Sequence, residues 1–246
     1  MPRTQSGGSQ GACGPILRVD VDGELIFCAA DDTFASGSIA LYSWGNAGSS
    51  FDDVRLDLVR PVYGGEDFQD GSYDGWMIVD EATIAGPSVW SAATGQMVQT
   101  SNIFGGDALS LDMPGTYALY EDGLAWDDYI LTLAISSDDD DAIGVMFRYQ
   151  DGDNYYRFSW DRQRRYRRLV KKEDGAFTLL AEDDAAYVTG QTYDLEVVVC
   201  GPQLRVFVDD ALIFWVSDDA LRSGTIALYS WGNSGSHFDD VFVDGL

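Results

Sequence analysis

The sequence is short of positive charge, of histidine, of cysteine and of long apolar runs, and each shortage removes a class of function. Lys and Arg number 15 against 41 Asp and Glu, for a net charge of −26 and a pI near 4.1. Such a surface repels nucleic acid and anionic membranes, so neither is expected as a partner. There is one histidine, His237, and three cysteines with no CxxC pair, which argues against a His-based nucleophilic triad and against a zinc cluster. No stretch reaches the roughly 20 apolar residues of a membrane-spanning helix. The opening residues MPRTQSGGSQGACG lack the apolar centre of a signal peptide and read as a disordered leader over 1–12.

What remains is rich in strand and turn formers. Hydrophobic residues make up 46% of the chain and aromatics 13%, and Gly numbers 27. The mix favours short strands and tight turns over helices. The acidic residues gather in short clusters that repel one another. That suits salty surroundings or bound divalent cations, although the plain reading of most of them is a solvated surface.

The chain repeats itself. Shifted by 187 residues, 13–57 lies on 200–244 without a gap, and 30 of the 45 positions are identical. SIALYSWGN at 38–46 returns as TIALYSWGN at 225–233. The expected organisation is a leader (1–12), the C-terminal fragment of a preceding repeat (13–60, a hairpin plus two strands), a linker (61–65) and one complete β domain (66–246). A tail carrying Leu17, Val19, Leu25, Phe27, Ile39, Leu41 and Phe51 is not expected to remain in water with open edges. It should dock on its own chain or on another copy, giving a homo-oligomer through 13–57.

The complete domain alternates throughout. YILTLAIS (129–136), AIGVMFRY (142–149), NYYRFSWD (154–161), YRRLVKK (166–172), FTLLAE (177–182), YDLEVVV (193–199), LRVFV (204–208), ALIFWV (211–216), TIALYSW (225–231) and FDDVFVD (238–244) are separated by DDDD, QDGDN, EDG and VTGQ. This predicts an all-β antiparallel jelly-roll sandwich. The order of these segments, with FQDGSYDGW before them and G-x-I-A-L-Y…FDDV-x-V at the close, resembles the concanavalin A-like (laminin G-like) superfamily. It is similar to bacterial extracellular modules near the 3-keto-disaccharide hydrolase family and the thrombospondin C-terminal domain. The fold hosts lectins, adhesion modules and enzymes alike.

That resemblance implies calcium at the sandwich rim. Alternation puts Asp239 on the inward face with Val241 and Val243, where a carboxylate needs a partner. Asp240, Asp70 and Asp74 are the further candidate oxygen donors. A second acidic site is offered by Asp139 and Asp141 with Asp151 and Asp153, where the alternative is a pair of solvated turns. Tyr229 and Trp231 stand two apart on one strand face, either as a sugar-stacking platform beside Asn233 or as core. The run DRQRRYRRLVKK (161–172) holds seven of the fifteen positive charges. Arg165 and Arg167 in it would grip an acidic polysaccharide, or else the run pairs along its hairpin with Asp and Glu.

His237 has Ser50 as its counterpart in the first copy, and no E-x-D-x-x-E strand is present, so catalysis is not expected. A D-G turn at 22–23 sets Cys28 opposite Leu17 and not Cys13, which predicts free, buried thiols. The leading reading is a non-enzymatic, calcium-stabilised, secreted or cell-surface module of a tandem-repeat protein, for carbohydrate binding or adhesion. The alternatives are a self-assembly unit whose partner is another copy, and a sugar-active enzyme.

Overall fold

The computed structural model describes residues 8–13, 16–22, 24–30, 33, 38–54 and 62–246. The chain divides into two units, residues 1–61 and 62–245. No helix occurs among the described residues, and none is long and apolar enough to cross a membrane.

The first unit is a three-stranded antiparallel sheet of β1 (Gly8–Cys13), β2 (Ile16–Val21) and β3 (Glu24–Ala30), in that order. Residues 8–12, expected in a disordered leader, are strand. The β2–β3 hairpin turns at Asp22, which takes a left-handed φ of 54°. A bulge between Val19 and Asp20 moves the register by one residue, so Cys28 faces Arg18 and not Leu17. Cys28 and Cys200 are both disulfide-bonded, which overturns the expectation of free thiols. The two further strands expected at 38–46 and 51–57 are absent from described residues 38–54, which form no ladder and are exposed. Residues 55–57 lie outside the described ones.

The second unit is the expected antiparallel sandwich. One sheet contains β5 (Trp76–Asp80), β8 (Thr116–Tyr120), β10 (Ala142–Asp151), β11 (Asn154–Asp161), β12 (Tyr166–Glu173), β13 (Ala176–Asp183) and β17 (Thr225–Trp231), in the order β13-β12-β11-β10-β17-β8-β5. The other contains β6 (Trp90–Ser91), β7 (Met97–Gln99), β9 (Tyr129–Ser137), β14 (Tyr193–Cys200), β15 (Gln203–Val208), β16 (Ala211–Ser217) and β18 (Ser236–Gly245), in the order β16-β15-β14-β9-β18-β7-β6. β4 (Val62–Glu66) pairs with the far end of β18, so most of the expected 61–65 linker is strand. The ten segments mapped from alternation coincide with β9 to β18 to within about two residues at each end.

The inward positions of both sheets meet in one core. Ile143, Val145, Phe147, Phe158, Ile226 and Leu228 come from one sheet, and Leu131, Leu133, Val197, Val206, Phe238, Val241 and Val243 from the other. β17 lies between β10 and β8, and β18 lies beside β9 and β7. The closing strands are therefore central to both sheets.

Candidate functional site

β17 is buried on both faces because the seven-stranded sheet carries a second apolar layer on its outer side. That layer holds Tyr117, Met146, Tyr149, Tyr155, Tyr166, Tyr229 and Trp231. The segment between β7 and β8 supplies Met113, with Phe104 and Ala108 packed against it. The ladders explain how these residues meet. Tyr155 on β11 faces Lys172 on β12, which faces Phe177 on β13. Arg157, two residues on from Tyr155, faces Met146 on β10, which faces Ala227 on β17. Tyr229 faces Tyr117.

Polar groups are set into this aromatic layer. The Arg157 guanidinium is buried, 4.6 Å from the centroid of the Tyr229 ring and 5.4 Å from that of Phe177. Its Nη2 donates to the Leu111 carbonyl at 2.6 Å. Tyr149 and Tyr155 stack at 5.7 Å with 9° between their planes, and the Tyr117 and Tyr149 hydroxyls meet at 2.9 Å. Lys172 Nζ donates to the Gly152 carbonyl at 2.6 Å and stands 3.5 Å from Asp153. Two buried polar atoms of the layer have no partner among the described residues: the Tyr155 hydroxyl and Arg157 Nε. Burial drives the Tyr117 and Tyr155 hydroxyls up, so both are neutral donors.

Glu81 follows β5 and is anchored by its backbone N–H to the Gly115 carbonyl at 3.0 Å. Its carboxylate accepts no hydrogen bond among the described residues. Burial raises its pKa against the opposing pull of Lys172 and Arg157, and Asp112 and Asp153 add to the rise. Buried donors without partners, a carboxyl of raised pKa and aromatic rings can bind a polar, ring-shaped ligand.

The residues singled out from sequence fall elsewhere or are already engaged. Tyr229 and Trp231 are buried, which corrects the open-platform reading: Tyr229 Oη donates to the Met113 carbonyl at 2.5 Å and Trp231 Nε1 to Gly105 at 2.9 Å. Asn233 is a buried linchpin. Its Oδ1 accepts from Ser137 and Ser236, and its Nδ2 donates to the Asp141 carbonyl. Arg165 is an exposed turn residue with φ of 56°. Arg167 is held in a bidentate pair by Asp183, with Nε and Nη2 at 2.9 and 2.6 Å. Arg168 pairs with Glu182 and Lys171 with Asp218, so the basic run neutralises its own neighbours.

Asp239 does not face inward. The ladder with β9 slips by one residue between Asp239 and Phe242, where Asp240 takes φ of 48°. The bulge puts Asp239 on the outer side with Phe242, while Phe238, Val241 and Val243 stay in the core. Asp239 accepts from Gln96 Nε2 at 3.3 Å, Asp70 caps Ser72 at 2.7 Å, and Asp74 makes no metal group with them. Asp151 caps its own turn at Asp153 and Asn154. Among the described residues one metal-sized group exists: Asp139, Asp140 and Asp141, with carboxylate oxygens within 4.8 Å of one another. Arg164 donates to Asp141 at 2.6 Å and to Asp161 at 2.8 Å. Burial raises the Asp141 pKa, and Asp161 and Asp139 add to the rise against Arg164. Arg164 thus pairs with two of the four carboxylates gathered here, Asp141 and Asp161.

Residues 66–244 match the 3-keto-alpha-glucoside-1,2-lyase-like domain. The chain belongs to this family. An extracellular exo-alpha-L-arabinofuranosidase of Streptomyces chartreusis is 25% identical over 176 residues, 71% of this chain and 19% of that protein, so the chain spans about a fifth of its relative. Among solved structures, a carbohydrate-binding module CBM66 from Bacillus subtilis is similar at 21% identity and TM-score 0.53, covering 70% of this chain and 96% of that one. A Bacillus subtilis protein of unknown function with a galectin-like fold gives 14% and 0.59, with 75% and 96% covered. A Bacillus licheniformis beta-glucanase gives 8% and 0.51, with 74% and 97% covered. These likenesses show the jelly-roll sandwich fold.

Family membership and fold do not single out Glu81, Tyr155 or Arg157. The signal in the sequence is NYYRFSWD, where an Arg interrupts an otherwise apolar strand two residues from a Tyr.

Proposed function

We propose that the outer face of the seven-stranded sheet is a carbohydrate-binding site, and that the second unit is a binding module rather than a catalyst. The observation that carries this is a pair of buried donors left without partners, the Tyr155 hydroxyl and Arg157 Nε, together with the partly buried Glu81 carboxyl, whose pKa burial raises. Buried polar groups left unpaired cost stability, and a sugar's hydroxyls would satisfy both donors and hydrogen-bond Glu81. The partly exposed ring of Phe177, packed edge-on against Tyr155, offers a surface for apolar C–H groups. A sugar reaches these atoms by displacing part of the covering segment 104–113. The carbohydrate proteins among the relatives support the same reading.

The test is a glycan array followed by calorimetry on the hits. Tyr155→Phe removes only the unpaired hydroxyl. Affinity should fall about tenfold, one lost hydrogen bond of about 1.4 kcal/mol, with the fold intact. No binding to any glycan by the native chain sinks the proposal.

Glu81 adds a pH signature. Its folded pKa lies above its unfolded value, so burial favours the protonated carboxyl. That advantage is fully present below the unfolded pKa and is lost as pH rises through the folded one. Glu81→Gln should therefore raise Tm relative to the native chain at neutral pH, show no gain below about pH 4, and weaken binding. A second reading, a sugar-active enzyme, draws on the same raised carboxyl, the trait of a general acid. Release of reducing sugar that disappears in Glu81→Gln would favour it.

We also propose calcium at Asp139, Asp140 and Asp141, where excess carboxylate over Arg164 suits a hard cation. The group adjoins Asn233 and Ser234, the latter donating to Asp139 Oδ2 at 2.8 Å from both its N–H and hydroxyl, so an ion there would tighten the β17–β18 corner. Chelation should lower Tm and calcium restore it; an unchanged melt in EDTA removes the ion from the account. The bonded cysteines, the acidic surface and the extracellular relative support secretion or surface display.

A further inference from the structure

Arg205 is a buried cation whose donors are unused. On β15 it lies opposite Val198 of β14 and Trp215 of β16. Leu204 and Val206 on either side of it enter the core, so alternation turns Arg205 to the outer face of the eight-stranded sheet. The residue is 1% exposed, and its Nε, Nη1 and Nη2 have no hydrogen-bond partner among the described residues. The guanidinium stands 5.0 Å from the centroid of the Trp215 ring. Trp215 itself is 55% exposed, and its Nε1 donates to Gln203 Oε1 at 2.6 Å, which fixes the indole. Glu196, the carboxylate on that face of β14, lies opposite Phe207 instead. Burial alone lowers the Arg205 pKa, with no carboxylate opposing it.

The other buried arginines are engaged. Arg148 donates to the carbonyls of Asp127, Gly201 and Leu221 and to the Asp128 carboxylate, and Arg157 donates through Nη2 to Leu111. Arg205 keeps its whole fork free. A desolvated guanidinium without a counter-charge is costly, and an apolar side chain would pack the same place at less cost. Its planar donors match a carboxylate at two points. The field of a chain at −26 repels anions, so a carboxylate held here must be held by short-range, desolvated contact. We propose that Arg205 and Trp215 form a second ligand site, on the opposite sheet from the one above, for a carboxylate-bearing sugar. The fork takes the carboxylate and the indole takes the apolar face of the ring. Trp215 is the side chain that a ligand shifts to reach the guanidinium. An acidic peptide brings the carboxylate without the ring, which leaves the indole unused.

The test titrates the full chain by calorimetry with a galacturonic acid trisaccharide and with its neutral galactose counterpart. The acid should bind more tightly by about tenfold or more, the worth of a charge-assisted pair. Arg205→Met should abolish that preference without lowering Tm, because it removes an uncompensated charge. Arg205→Lys keeps the charge and loses the fork, and should weaken acid binding by about tenfold; it decides the matter if the Met variant folds poorly. Tyr155→Phe, on the other sheet, should leave acid binding unchanged. Equal affinity for the two trisaccharides overturns the proposal, as does an acid preference that survives in both Arg205 variants. Loss of acid binding in Tyr155→Phe overturns it too, since the acid would then occupy the seven-stranded sheet. Acid binding unchanged in Trp215→Ala overturns the sugar assignment, and so does an aspartate tetrapeptide that binds through Arg205 where the trisaccharide does not.

Discussion

Residues 39–46 and 226–233 have the same eight side chains in the same order, and both backbones turn left-handed at the glycine. One copy is a strand buried in the middle of a seven-stranded sheet, and the other has no ladder partner and stands in solvent. The difference separates what a short segment encodes from what its surroundings supply. Turn geometry and the Ser-to-Ser and Ser-to-Asn hydrogen bonds are local and survive in both places. Strand identity, burial and stability are not local, since they come from β8 and β10 on either side and from the cover of Phe104 and Met113. β-propensity is in this sense a fit to neighbours.

The sharpest way to break the comparison is to cut the same side chain from both copies. Trp231 lies beneath Arg164, whose guanidinium is 4.6 Å from its ring centroid, and beside Phe104 at 5.8 Å. Trp231→Ala should destabilise the sandwich by about 3–5 kcal/mol. Trp44→Ala should stay within about 0.5 kcal/mol. Denaturant titration of both variants reads the difference, and equal losses would mean that the first copy is covered in solution.

A smaller effect separates the shared hydrogen bonds. Ser230 Oγ accepts from Gln99 Nε2 at 3.0 Å and meets Ser236, all in the buried interior. Ser230→Ala strands those partners and should cost about 1–3 kcal/mol. Ser43→Ala removes the same local bonds where water replaces them, so no loss is expected. A measurable loss at Ser43 would show that the first corner contributes to the cooperative fold.

The same distinction explains what was legible in the sequence. The strands β9 to β18 announce themselves by alternation and by Asp-Gly and Asp-rich turns, all local signals. Asp239 was misplaced because one bulged residue, Asp240, reverses the period-2 count for everything before it. Tyr229 and Trp231 left platform and core both open, because nothing near them in sequence reveals that residues 104–113 lie over them. The partners of Arg164 and Arg167 were foreseeable as one of two options, since alternation and hairpin pairing bring Asp183 opposite Arg167. Glu81 and Arg157 went unmarked: the site depends on β5, β8, β11 and β17 meeting across 150 residues of chain, a fact of topology. Cys28 was read one register off through the bulge at Val19–Asp20, and its bonded state is not a property of spacing.

The finest probe of the comparison is the bulge residue itself. Asp240 and Asp53 both sit at positive φ, 48° and 52°, a region that costs an alanine about 1–2 kcal/mol and that Asp and Gly tolerate better. At 240 the conformation is enforced, because β18 is pinned to β9 on both sides of the slip and to β4 beyond it. Asp240→Ala must therefore pay the strain, and about 1 kcal/mol should be lost, whereas Asp240→Gly should be neutral. At 53 no ladder holds the backbone, so Asp53→Ala can relax to an ordinary φ and should leave the sandwich melt untouched. Equal behaviour of alanine and glycine at 240 would mean that the bulge follows from the ladder alone and that its aspartate has no conformational role.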